Sequence, residues 1–273
     1  MQIISDPIKL KNYLKNREET IGFVPTMGAL HDGHISLIKK ARVQNELVVV
    51  SIFLNPTQFL KGEDLDKYPK KDEADKKICE LRGVDILFFP TKESIYSDDE
   101  VSLLAPNVRG FVLEGNSRPG HFNGVLTVVM KLLNIVDPTK AYFGKKDAQQ
   151  LNLISLMVKQ FFMSVEIIGV DTLREKDGLA LSSRNSYLTK EQREEALKIS
   201  SSLFLASNMI GKNIVDTQTI KEAMIKHLEP LEISYVEILN HNFDYLEKIE
   251  LKNTVILVEA KAGTTRLLDN IWL

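Results

Sequence analysis

The sequence predicts an α/β protein: a parallel sheet with helices in its first two thirds, then a small α+β unit. Three observations carry this. Short apolar runs alternate with helical patterns as far as about residue 174. One run, Leu47–Leu54 (LVVVSIFL), is apolar almost throughout, as expected of a strand covered on both faces. Beyond residue 174 two helical segments precede three β-like runs, the order expected of a separate domain.

The strands come in order. Ile21–Val24 is apolar, β-rich and stopped by Pro25. Leu47–Leu54 follows, then Asp85–Phe89, which ends at Pro90, and Val165–Val170. Helical segments lie between them at Ile35–Val43, Lys71–Leu81 and Asp147–Gln160. The best helical signal is Val125, Val128, Val129, Leu132, Leu133 and Val136, which share one face. The later unit reads as helices Lys190–Asn208 and Thr217–Leu228, then strands Ile233–Leu239, Val255–Ala260 and Arg266–Ile271. The expected division is residues 1–174 and 175–273, with the second part closing over a site on the first.

Composition bounds the function. The chain has 273 residues, 44% hydrophobic and 26% charged, the proportions of a globular protein with a real core. Lys and Arg number 35 against 37 Asp and Glu, a net charge of −2, which gives no pull toward nucleic acid or an anionic membrane. The single cysteine, Cys79, excludes a disulfide framework within the chain, and its flanks mark a structural thiol. The start, MQIISDPIKL, lacks the basic and long apolar regions of a signal peptide. The longest apolar stretch is cut by Lys131 and is too short to span a bilayer. A cytoplasmic location is the expectation.

Five polar stretches carry chemistry. Pro25–His34 (PTMGALHDGH) follows the first strand and opens a helix, where a parallel sheet presents backbone N–H groups to phosphate. Gly28 and Gly33 permit close backbone approach, and His31 and His34 share a helical face. A His-x-x-His pair also suits a metal, though no third ligand stands nearby, and an incidental surface loop is the bland reading. Asn55–Phe59 (NPTQF) ends the second predicted strand, where Gln58 can donate to and accept from a hydroxy acid; an ordinary Asn-Pro turn fits equally. Arg118–Gly124 leads into the long helix, and His121 there suits an anion or plain packing. Phe143–Gln150 (FGKKDAQQ) groups a glycine, lysines and Asp147 before a helix, fit for a nucleotide or a solvated cap. Asp177–Asn185 (DGLALSSRN) offers two hydroxyls and an arginine, an anion clamp or a linker.

Together these stretches resemble a family. PTMGALHDGH at 25–34, NPTQF at 55–59, RPGHFNGVLTVVMKLLN at 118–134, FGKKDAQQ at 143–150, DGLALSSRNSYL at 177–188 and TTRLLDN at 264–270 are similar to the motifs of the pantothenate synthetases, or pantoate–beta-alanine ligases, in the same order. The resemblance implies a Rossmann-like domain of the HIGH-type nucleotidyltransferase superfamily with a small C-terminal domain. It implies a homodimer that joins (R)-pantoate to beta-alanine with ATP and Mg²⁺, through a pantoyl adenylate, releasing AMP and pyrophosphate. It places Met27, Gly28, Ala29, Leu30, His31, Asp32, Gly33 and His34 on ATP, with Gly144, Lys145, Lys146, Asp147, Leu173, Leu181, Ser182, Ser183 and Arg184. His34, His31, Lys146 and Arg184 would be catalytic. Gln58, Gln150, Asn55 and His121 would meet pantoate and beta-alanine, and Asp75 would serve Mg²⁺. Lys70 stands where Arg is usual, Ser97 where Pro often follows, and Leu181 where Met is common.

Two other readings are carried. A plain nucleotidyltransferase would share HDGH but has no need of Gln58 and Gln150. A nucleotide-binding regulatory module would bind ATP without forming AMP.

Overall fold

Leu47–Ile52 forms a strand with every residue buried, as its unbroken apolar run predicts. It is the third strand of the first of two compact units. That unit comprises residues 1–145 and 153–171; the second comprises residues 146–152 and 172–273. The computed structural model describes the backbone of residues 1–273 and every side chain except that of Asp64.

The elements of the first unit are β1 (Gln2–Ile4), α1 (Pro7–Leu14), β2 (Ile21–Thr26), α2 (Asp32–Gln44), β3 (Leu47–Ile52), α3 (Asp72–Leu81), β4 (Ile86–Phe88), α4 (Lys92–Ile95), α5 (Glu114–Ser117), α6 (His121–Val136), β5 (Lys140–Gly144), α7 (Ala148–Gln160) and β6 (Glu166–Val170). The opening turn of α7 clusters with the second unit. The six strands form one parallel sheet in the order β1-β4-β3-β2-β5-β6. The chain therefore winds outward from β2 to one side, then returns to lay β5 and β6 on the other. The switch point lies between β2 and β5, where such sheets bind ligands at the strands' carboxyl ends. PTMGALHDGH leaves β2 and FGKK leaves β5, so the topology brings two of the predicted motifs to that point.

Three departures from the sequence reading have local causes. β2 runs through Pro25 to Thr26. The ladder to β5 ends at Phe23, so the missing N–H of Pro25 breaks no pair there. β1 has three residues with Ile4 alone buried, too short for a period to show. β5 was also unforeseen: its centre is Tyr142, a fully buried residue whose phenol pairs with Asn45 and Gln44. The predicted face of α6 is buried at Val125, Val128, Val129, Leu132, Leu133 and Val136. Val24, Leu37, Ile38, Val48, Val50 and Leu87 pack into one core between β2, β3, β4 and α2.

The second unit holds α8 (Lys190–Gly211), α9 (Thr217–Leu228), β7 (Glu232–Asn240), β8 (Thr254–Ala262) and β9 (Thr265–Trp272). The strands form an antiparallel sheet in the order β7-β8-β9. Thr189 and Gln192 close a capping box at the start of α8. Ile199, Leu203, Ile220, Met224, Ile256 and Val258 share its core. Among the described residues no helix is long and apolar enough to cross a membrane.

Candidate active site

The turn after β2 is built from backbone groups that would otherwise be orphaned. Thr26 Oγ1 accepts from Gly28 N at 3.2 Å. Gly28 and Ala29 both take positive φ, +86° and +51°, a conformation glycine adopts freely and alanine rarely. What holds Ala29 there is Asp75 on α3. One carboxylate oxygen accepts from Ala29 N and the other from Leu30 N, each at 2.8 Å. Asp75 is 1% exposed. Burial pushes its pKa up, more than the two backbone hydrogen bonds pull it down. A carboxylate so placed is a clasp for the turn and does not fit the magnesium role expected of it. Among the described residues no group of three or more His, Cys, Asp or Glu gathers to hold a metal.

The two histidines open α2 as a reciprocal cap. His31 is the N-cap, and its Nδ1 accepts from Gly33 N at 3.1 Å. His34 Nδ1 accepts in return from His31 N at 3.4 Å. A neutral imidazole that accepts at Nδ1 carries its proton on Nε2. Both rings, 4.2 Å apart between centroids, are thereby held in the tautomer that donates from Nε2. They stand at the positive end of a thirteen-residue helix. The arrangement suits a polyanion. Asp32 and Gly33 form the helix's first turn between them.

Gln58 joins this turn from the neighbouring strand. It ends a short 3-10 turn, Pro56–Gln58, after β3. Its Nε2 donates to Met27 Sδ at 2.8 Å, and its Oε1 accepts from Asn55 Nδ2 at 3.0 Å. Asn55 is 1% exposed and faces protein on both sides of its amide. Its Oδ1 accepts from Thr57 N, Thr57 Oγ1 and Tyr96 Oη, and its Nδ2 donates to Gln58 Oε1 and Gly124 O. A cleft of about 220 Å³ opens beside Met27 and Gly28, lined also by Phe53, Tyr68, Lys70 and Asp75.

His121 stands behind Gln58. Its Nδ1 lies 2.7 Å from Gln58 O and its Nε2 3.0 Å from Arg118 Nη1. Arg118 can only donate, so Nε2 accepts and Nδ1–H donates to the carbonyl. Burial, then the Arg118 charge, pushes the His121 pKa down to about 4. The ring is neutral at pH 7, with both nitrogens committed to protein. Arg118 also grips Gln58 O and makes a two-pronged ion pair with Glu63, at 2.6 and 2.5 Å. Burial raises the Glu63 pKa, but the Arg118 hydrogen bonds and charge outweigh it and hold the carboxyl below its ordinary value. No local pattern in the sequence marks Glu63 or Tyr96 for these roles, because Arg118 and Asn55, their partners, are distant along the chain; Arg118 joins its near neighbour His121 to the distant Glu63 and Gln58.

The remaining predicted residues divide between the units. Gly144 ends β5 in the first, and Lys145 pairs there with Asp171 at 2.6 Å. In the second, Lys146 lies 3.5 Å from Asp147, and its carbonyl accepts from Asn270. Gln150, in the first turns of α7, is partly buried. Leu181 N donates to Leu173 O at 2.9 Å, so a small hairpin sets these two residues side by side. Ser182 caps the 3-10 turn Ser183–Tyr187 by accepting from Arg184 N. Asn185 ties that turn down: its amide donates to Glu175 and to Ala180 O, while Arg193 bridges Glu175 and Asp177.

Comparison with known proteins gives concordant results. The family model described as pantoate-beta-alanine ligase matches residues 2–272. A curated relative from Sulfurimonas denitrificans, named pantothenate synthetase, is 72% identical over 273 residues, covering 100% of both chains. The crystal structure of pantothenate synthetase from Thermus thermophilus superposes with a TM-score of 0.94 at 37% identity, over 100% of this chain and 99% of that one. That of pantoate-beta-alanine ligase from Francisella tularensis, complexed with beta-gamma ATP and beta-alanine, gives 0.82 at 37% identity, over 100% and 97%.

Proposed function

This chain belongs to the pantoate-beta-alanine ligase family, and from that premise we propose how its own residues carry the reaction. It is an enzyme that condenses pantoate with beta-alanine, with ATP as a substrate. A carboxylate is a poor acyl donor, because oxide would have to leave. In the first step a pantoate carboxylate oxygen attacks the α-phosphorus of ATP, and the bond to pyrophosphate breaks. In the second, the beta-alanine amine attacks the acyl carbon, and the bond to AMP breaks.

Negative charge grows on phosphate oxygens in the first step. The observation that carries this reading is the paired cap of α2, which fixes two imidazole N–H donors at a helix N-terminus. We assign His34 and His31 to that charge, with the Met27–Gly33 backbone around it. Gly144 and Lys145 from the first unit bind ATP in the same reading. In the second unit, Lys146, Asp147, Ser182, Ser183 and Arg184 bind it, with Leu173 and Leu181 against its apolar parts. Gln58 and Gln150 take the pantoate and beta-alanine polar groups. Asn55 and His121 support Gln58 from behind. Magnesium, which the family resemblance implies, would supply positive charge to the triphosphate, and Asp75, whose two oxygens hold Ala29 N and Leu30 N, would not be its ligand. A homodimer in the cytoplasm completes the proposal; sedimentation at the mass of a single chain overturns the dimer.

A coupled assay for AMP, run with each substrate omitted in turn, tests the reading. AMP release requires ATP, pantoate and beta-alanine together. ATP–pyrophosphate exchange without pantoate would point instead to a nucleotidyltransferase.

A further inference from the structure

Two backbone groups identify which end of the Asn55 amide is the oxygen. Thr57 N–H, 3.3 Å from Oδ1, can only donate, and Gly124 C=O, 3.2 Å from Nδ2, can only accept. Asn55 therefore presents its NH₂ group to Gln58, and the Gln58 atom facing it is Oε1. The Gln58 NH₂ group is left on the far side, against the Met27 thioether, a weak acceptor that a carboxylate or hydroxyl displaces.

The remaining partner of Asn55 comes from elsewhere in the chain. Tyr96 Oη donates to Asn55 Oδ1 at 2.8 Å and also lies 3.1 Å from Thr57 Oγ1. Burial raises the phenol's pKa, which keeps it a donor. Tyr96 is itself clamped on both flanks by one ion pair. Lys131 Nζ donates to Ile95 O at 2.7 Å, and Glu100 accepts from Ser97 N at 3.0 Å. Lys131 and Glu100 pair at 2.6 Å, and the ammonium sits 5.0 Å from the Tyr96 ring.

We propose that Tyr96 is a positioning residue for the ligase reaction. Through Asn55 it holds Gln58 as a one-way donor toward substrate, so this arm of the site accepts carboxylates and hydroxyls and disfavours groups that only donate. The proposal rests on the assignment of Gln58 to pantoate and beta-alanine. It also makes Asn55 a relay, since both protons of its amide are used within the protein.

The test is Tyr96→Phe, which removes one O–H and keeps the ring between Phe53 and Lys131. The KM for pantoate rises up to about five-fold, the value of one neutral hydrogen bond, while the KM for ATP stays at the wild-type value and the melting temperature falls by no more than a few degrees. The Gln58 side-chain NH₂ resonances of the unliganded protein move in the same variant. Unchanged Gln58 resonances, or equal rises in both KM values, overturn the positioning role. A wild-type enzyme that forms no AMP from the three substrates removes the functional reading instead, and the resonance shift still decides whether Tyr96 orients the amide.

Discussion

His34 stands where a backbone cap and the chemical role proposed for it coincide. The His31 N–H holds Nδ1, so the ring cannot turn, and a donor fixed in advance costs no reorganisation when charge develops. Such a donor matters most in the transition state. His34→Ala therefore lowers kcat about 100-fold, the usual loss for one such donor, and leaves the KM for ATP within a few-fold. Steady-state kinetics at varied ATP concentration checks this; a change confined to KM would make His34 a binding residue alone. The histidine pair was legible in the sequence because three-residue spacing and a helix start are local features. Asp75 was legible only as an acid. Its use as the clasp of the Gly28–Leu30 turn depends on hydrogen bonds spanning 46 and 45 residues, which no local pattern encodes.

At the scale of elements, α6 meets the Pro56–Gln58 turn through Gly124. A Cβ built there lies 2.3 Å from Thr57 O and 2.7 Å from Gln58 N, both backbone atoms. Alanine is the better helix former by about 1 kcal/mol. That gain is smaller than the overpacking cost of about 1–3 kcal/mol, and here the clash is with main chain that has no rotamer to yield. Gly124→Ala is thus net destabilising and also displaces Gln58. Urea unfolding and the KM for pantoate read the two effects; a stability at or above wild type refutes the contact. The apolar face of α6 was readable because its burial follows a single period. β5 was not, since five residues around one satisfied tyrosine show neither alternation nor a long apolar run. Pro25 misled for a related reason: whether a proline ends a strand depends on where the neighbouring ladder stops, which is a property of the sheet.

At the scale of the whole molecule, His121 couples stability to pH. Its ordinary pKa is 6.5, and in the fold it is pushed down to about 4. Between these values the unfolded chain binds a proton that the folded chain refuses, so stability falls as pH drops below 6.5 and the loss levels off below about 4. From pH 7 to pH 5 this group alone removes about 2 kcal/mol. Denaturant unfolding at the two values checks it against His121→Gln. The variant loses less stability over that span than the wild type, and an equal loss in both refutes the assignment. The change of texture near residue 174 made two helices followed by three strands readable. The passage of the α7 opening turn into the second unit was not, because a helix pattern says nothing about which core each turn joins.

The reciprocal cap on α2 has a consequence for proton traffic. An imidazole whose basic nitrogen already holds a main-chain amide has no lone pair left to collect a proton. Neither histidine can then deprotonate the incoming amine while the helix start is intact. The amine of beta-alanine must then reach the acyl carbon already in its neutral form, and the surplus proton of the new amide departs with the AMP phosphate or into water.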